Sequence, residues 1–162
     1  MKLLKKIIIC LLIILLLFLG YFFLHYYTYF DRITEDYIEI IENGENQIIL
    51  NDWIKENIPL NVNPRNYPFG IYFPNFEGYS GQILSDFDWK KIPHFNEEEG
   101  PMVAHILMTE RGKVLAIVFS QISKVGIIVK VDDSFDFSIF GGIMRREIGR
   151  YGVFRRESRM DL

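Results

Sequence analysis

Eighteen residues near the amino terminus, Ile7 to Leu24, read IIICLLIILLLFLGYFFL, with no charge and no proline. As an α-helix they rise about 1.5 Å each and reach roughly 27 Å, close to the ~30 Å hydrocarbon core of a bilayer. Such a run is either removed as a secretory signal or kept as an anchor, and the lysines ahead of it (Lys2, Lys5, Lys6) suit both fates. Three features favour keeping it. The run is longer than the roughly 7–15 apolar residues of a signal peptide, and no small-x-small cleavage site follows. The next residues are instead His25, Tyr26, Tyr27, Thr28, Tyr29 and Phe30, an aromatic belt of the kind found at membrane–water interfaces. A lipoprotein reading of Cys10 fails, because Ile9 precedes it and most of the apolar run lies after it. Residues 1–24 are therefore expected to be a basic flank and a retained transmembrane anchor. Ile7 and Leu24 bound the anchor, Tyr26 and Tyr27 seat it, and the lipid bilayer is its partner.

The flanks predict an orientation. Three lysines precede the run, and Asp31, Arg32, Glu35 and Asp36 follow it. The basic side stays in the cytoplasm, which puts the remainder of the chain on the other side. Sequence style, more than physics, suggests a bacterial inner membrane and a periplasmic domain.

Beyond the anchor, 138 of the 162 residues remain, enough for one domain with a real core. They carry 15 basic and 21 acidic side chains, a net of −6, which disfavours a nucleic-acid binder. The charge is uneven. From Phe137 to Leu162 six arginines face Glu147, Glu157 and Asp161, and such a basic tail is expected to be a solvated last element. Cys10 is the chain's one cysteine, so the domain has no disulfide and no thiol chemistry.

Tyr26, Phe30, Ile33, Tyr37 and Ile40 are spaced 4, 3, 4 and 3, a helical stripe with the acids off it. The anchor helix should thus continue through an extension at 25–45, with Gly44 as its stop. The alternative is a hairpin turning at Asn43-Gly44. Asn46 is placed to cap a short second helix, with Leu50, Trp53, Ile54 and Ile58 as its apolar side and Pro59 as its end. Residues 59–81 then crowd four prolines, three glycines and six aromatics into a loop, with a short strand expected at Phe69–Phe73. After Pro101 the texture is β-sheet. Met102–Thr109 and Lys113–Ser120 are apolar on both faces and joined by Glu110-Arg111-Gly112. Val125, Ile127, Val129 and Val131 alternate as a third strand, and Phe135, Phe137 and Ile139 as a fourth. The expected class is α+β: a transmembrane helix extending into a globular domain over 46–162, with a short helix, an antiparallel β-meander of about four or five strands, and a basic tail at 143–162.

Catalytic motifs for serine, metal or phosphate chemistry are absent, so no catalytic, cofactor or metal residue is assigned. His94 and His105 with nearby carboxylates form the alternative, an envelope enzyme or metal-binding domain, but their spacing matches no ligand set. Asp86 and Asp88 fit solvated turn acids better than a catalytic pair. The aromatic loop is the better candidate for binding a protein partner. Tyr67, Phe69, Tyr72, Phe73, Phe76 and Tyr79, with Asp86 and Asp88, form the expected contact set, because exposed aromatics make hot spots. Core packing is their other use.

The plan of an apolar N-terminal helix leading into an antiparallel domain resembles that of type IV pilins and pseudopilins. The resemblance stops at architecture: Lys5-Lys6 run straight into Ile7, without the glycine-ended leader and glutamate of those proteins. The expected function is a non-enzymatic, membrane-anchored periplasmic binding protein, with an inhibitor or immunity role against a basic toxin as one form of it. A structural subunit of an envelope assembly is a further alternative.

Overall fold

The structure is a computed structural model that describes residues 2–66, 79–84, 87–92, 101, 103–121 and 124–156. It divides into two compact units, Met1–Ile33 and Thr34–Leu162. The first helix, α1 (Lys2–Glu42), begins in one and ends in the other.

In the first unit, the apolar run is helical throughout and its large side chains are exposed, Leu17 by 68% and Leu24 by 67%. Where the run ends, rings gather along the helix. Tyr21 stacks parallel on His25 at 6.0 Å, and Tyr26 meets Phe30 edge-on at 4.9 Å. The Arg32 guanidinium lies 6.0 Å from the Tyr29 ring centre.

In the second unit, the last turns of α1 bury Tyr37, Ile40 and Ile41 and leave Glu35 and Glu39 in solvent, as the stripe predicts. The second helix, α2 (Gly44–Asn57), follows at once, so the hairpin alternative is excluded. The cap differs from expectation. Asn43, not Asn46, ends α1 and starts α2, accepting a hydrogen bond from the Glu45 N–H at 2.9 Å. Gly44 opens α2 instead of stopping α1. Asn46 points inward and is buried, alongside Leu50 and Ile54. Pro59 follows the end of α2, where the Ile58 N–H still bonds to Ile54.

Six strands form one antiparallel sheet: β1 (Tyr79–Leu84), β2 (Val103–Met108), β3 (Val114–Gln121), β4 (Val125–Lys130), β5 (Met144–Ile148) and β6 (Tyr151–Arg155). The α+β class is as expected, with more strands than the sequence pattern showed. The spatial order is β1-β2-β3-β4-β6-β5, so the first four make a meander and the last hairpin enters with its second strand inside. The β2–β3 turn depends on Gly112. Its φ is +84°, and a Cβ there would stand 1.8 Å from the Val62 carbonyl oxygen. The Val62 N–H in turn donates to the Gly112 carbonyl at 2.8 Å, tying the residues after α2 to this hairpin.

The expected fourth strand is not one. Phe135, Phe137 and Ile139 alternate on paper, but Asp132 accepts from the Ser134 N–H and Asp136 from the Ser138 N–H. These two consecutive Asx turns curl the chain into a 3-10 segment, Phe137–Ile143. Its rings cover the sheet. Phe135, Phe137 and Phe140 pack with Leu107, Ala116, Val118, Ile128 and Phe154. Gly152 permits this approach, since a Cβ on it would lie 2.9 Å from the Phe137 ring. The expected basic tail is likewise no tail: through Arg155 it is the β5–β6 hairpin, with Tyr151, Val153 and Phe154 buried and Arg145, Arg146 and Arg150 exposed.

The other sheet face carries Ile106, Ile117, Phe119, Ile127 and Val153 and meets α2. Trp53 lies 5.5 Å from Phe119, and the Tyr151 hydroxyl donates to the Gln47 carbonyl at 3.1 Å. Burying side chains of this size contributes about 1.5–3 kcal/mol each, so both faces of β3 and β4 are core.

Candidate functional site

Of the residues singled out for binding, Tyr67, Phe69, Tyr72, Phe73, Phe76 and Asp86 lie outside the described residues, as do His94 and the strand expected at Phe69–Phe73. Tyr79 is the first residue of β1, in register with Met108. Asp88 has a structural task. Its carboxylate accepts from the Lys90 N–H at 3.2 Å and caps the short 3-10 turn Trp89–Lys91. That turn sets Trp89 into an aromatic cluster that spacing did not reveal. Phe87 and Trp89 meet at 4.5 Å, Trp53 and Phe87 at 5.8 Å, and Trp89 and Phe119 at 5.7 Å. The Trp89 indole N–H is satisfied by the Pro101 carbonyl at 3.1 Å. The rings fill one another's space edge to face, so the cluster is packed core rather than a cage open to a cation.

His105 is the most unusual polar group. It sits mid-strand in β2, in register with Gln82 on β1 and Val118 on β3. It is 5% exposed, and its Nδ1 has no hydrogen-bond partner among the described residues. Burial lowers its pKa from 6.5 to about 4, so the imidazole is neutral at pH 7. A neutral buried imidazole has the right form for a metal ligand or a base, but it needs partners. Among the described residues, no three His, Cys, Asp or Glu side chains come close enough to hold a metal.

A second charged site lies at the far end of the β2–β3 hairpin. Lys113 Nζ pairs with Asp132 at 2.5 Å. That contact first, then the Ser134 hydroxyl and N–H, holds the Asp132 carboxyl down at about 2. Ser138, through its N–H and hydroxyl, lowers Asp136 in the same way. The sequence trace of both is the repeated Asp-x-Ser, Asp132 to Ser134 and Asp136 to Ser138. Beside them Thr109, Glu110, Arg111 and Lys113 line an open depression of about 510 Å³. Its described rim is of mixed charge, and the Thr109 hydroxyl oxygen there accepts from the Lys113 backbone N–H at 3.1 Å.

Among the described residues, the longest run of exposed large apolar side chains is Ile7–Leu24 on the helix of the first unit. Its Lys5–Glu42 span is long and apolar enough to cross a membrane, and none of its most apolar 18-residue window is buried by protein. No family model matches the chain, and no curated protein or solved structure matches it.

Proposed function

We propose that this chain is a single-pass, membrane-anchored binding protein whose domain lies outside the cytoplasm, in the periplasm of a bacterial inner membrane. One observation carries the reading: an exposed apolar helix surface from Ile7 to Leu24 continues directly into the helix that enters a packed α+β domain. At roughly 1.5–3 kcal/mol for each Leu, Ile or Phe side chain removed from water, lipid favours such a segment by tens of kcal/mol. The Tyr21–Tyr29 rings supply amphipathic groups at the level of the headgroups. The lysines before the run favour a cytoplasmic amino terminus.

For the domain, the reading is recognition of another protein, of inhibitor or immunity type. Its support is the net acidic surface beyond the anchor, complementary to a basic partner, together with the aromatic-rich segment before β1.

Topology labelling tests the first half. Cys10→Ser removes the native thiol, and Glu110→Cys places one on the exposed β2–β3 turn. A membrane-impermeant maleimide applied to cells with a permeabilised outer layer should label it before the inner membrane is lysed. Labelling only after lysis would overturn the orientation. A mature mass lacking the first residues would overturn the anchor. Recovery of no protein by the full-length chain in mild detergent, from envelopes of its own source, would count against the second half.

A further inference from the structure

The two ends of the apolar run are finished differently. At its far end the rings of Tyr21, His25, Tyr26, Tyr29 and Phe30 gather along the helix, and the first charges beyond them, Asp31 and Arg32, are of opposite sign. At its near end there is no ring. Lys2, Lys5 and Lys6 stand at i, i+3 and i+4, one face of the opening turns of α1, and Lys5 and Lys6 are exposed. In the unit Met1–Ile33 the single acidic residue is Asp31, about 37 Å from Lys6 along α1 at 1.5 Å per residue. The lysines therefore have no countercharge of their own unit within reach.

We infer that Lys5 and Lys6, with Lys2 a turn before them, form a headgroup site that gathers anionic phospholipids around this end of the anchor. The chemistry of the partner follows from the neighbours. Exposed apolar surface begins at Ile7, directly after Lys6. The run reaches roughly 27 Å against a hydrocarbon core of ~30 Å, so lipid draws the flanking residues to the edge of that core. There a lysine lays its methylene stem along acyl chains and holds its ammonium among the phosphates. A zwitterionic headgroup brings an ammonium of its own to that layer, whereas a phosphatidylglycerol-type headgroup brings net negative charge. About 1 kcal/mol per basic residue near such a surface enriches the anionic lipid about fivefold. The aromatic end offers no cationic cluster, so the selection belongs to one leaflet. The lysines meet headgroups only where the run spans lipid, so the anchor reading above is the premise.

The test uses the full-length chain with pyrene on Cys10, its one thiol, an exposed residue about one turn past Lys6. The protein is reconstituted into phosphatidylcholine liposomes carrying a fixed minor fraction of brominated lipid, either phosphatidylglycerol or phosphatidylcholine. Flotation reports anchoring, and bromine quenching of the pyrene reports which lipid sits beside this turn. Brominated phosphatidylglycerol should quench as if enriched about fivefold over brominated phosphatidylcholine. The excess should vanish in about 1 M salt and in the triple variant Lys2→Gln, Lys5→Gln, Lys6→Gln, and it should survive when all three become arginine. Equal quenching by the two lipids in floated protein would overturn the headgroup site and leave the anchor standing. Protein that does not float would overturn both. An excess abolished by inorganic phosphate, but not by chloride at the same ionic strength, would show a site for the free ion and overturn the lipid assignment.

Discussion

His105 makes the stability of the domain depend on pH in a definite window. In the unfolded chain its imidazole takes up a proton near pH 6.5; in the fold, burial holds protonation off until about pH 4. The sign follows from linkage. Between those values the unfolded state binds the extra proton, so the stability present at pH 7 is lost as pH falls from 6.5 toward 4. At 1.36 kcal/mol per pH unit the loss is about 3 kcal/mol, a large part of the 5–15 kcal/mol of an ordinary domain. Among the described residues Nδ1 has no hydrogen-bond partner, and a buried nitrogen left so costs stability at every pH. His105→Leu removes both the titration and the orphaned nitrogen. The assay is urea unfolding of the full-length chain in a non-ionic detergent, followed by the fluorescence of Trp53 and Trp89 in their aromatic cluster. Wild type should lose about 3 kcal/mol more than the variant between pH 7 and pH 4. Parallel pH profiles for the two proteins would refute the reasoning. Asp132 does not blur the window. Its lowered carboxyl contributes stability above pH 3.8 that is lost only as pH falls toward 2.

Three further outcomes follow from local geometry. Gly112→Ala should destabilise the domain by about 1–3 kcal/mol or more, since its φ is +84° and the new Cβ meets the Val62 carbonyl; an unchanged urea midpoint would contradict the turn. Asn43→Ala should cost about 1 kcal/mol by freeing the Glu45 N–H, while Asn43→Ser should recover most of it in the same measurement. Phe119→Ala should cost about 3–5 kcal/mol and change the emission of both tryptophans, because its fully buried ring touches Trp53 and Trp89; a smaller loss with unchanged emission would show that the cluster is not packed as described.

The parts of the fold legible in the sequence share one property: a repeating pattern over many residues. The apolar run, the 4-3-4-3 stripe that continues it and the two-sided apolar strands β2 and β3 each average over enough positions to outweigh local exceptions. The failures were places where one or two side chains decided the matter. Alternating phenylalanines at 135–139 imitated a strand, and two aspartates accepting from the backbone two residues on turned them into a 3-10 cover. The arginines imitated a solvated tail, while Tyr151, Val153 and Phe154 drew residues 144–155 into a hairpin of the sheet. Asn43 and Asn46 both suit a cap, and burial against α2's neighbours separated them.

By itself the sequence determined the helix that suits a bilayer, the α+β class and the absence of thiol chemistry in the domain, because these depend on composition and period alone. Only the tertiary structure decided that β6 lies beside β4 with β5 outermost. It also decided that Phe137 covers Gly152, and that His105 is buried with no partner for its Nδ1 among the described residues. Those outcomes depend on which residues meet across the sheet. Contacts between residues far apart in the chain leave no periodic trace in it.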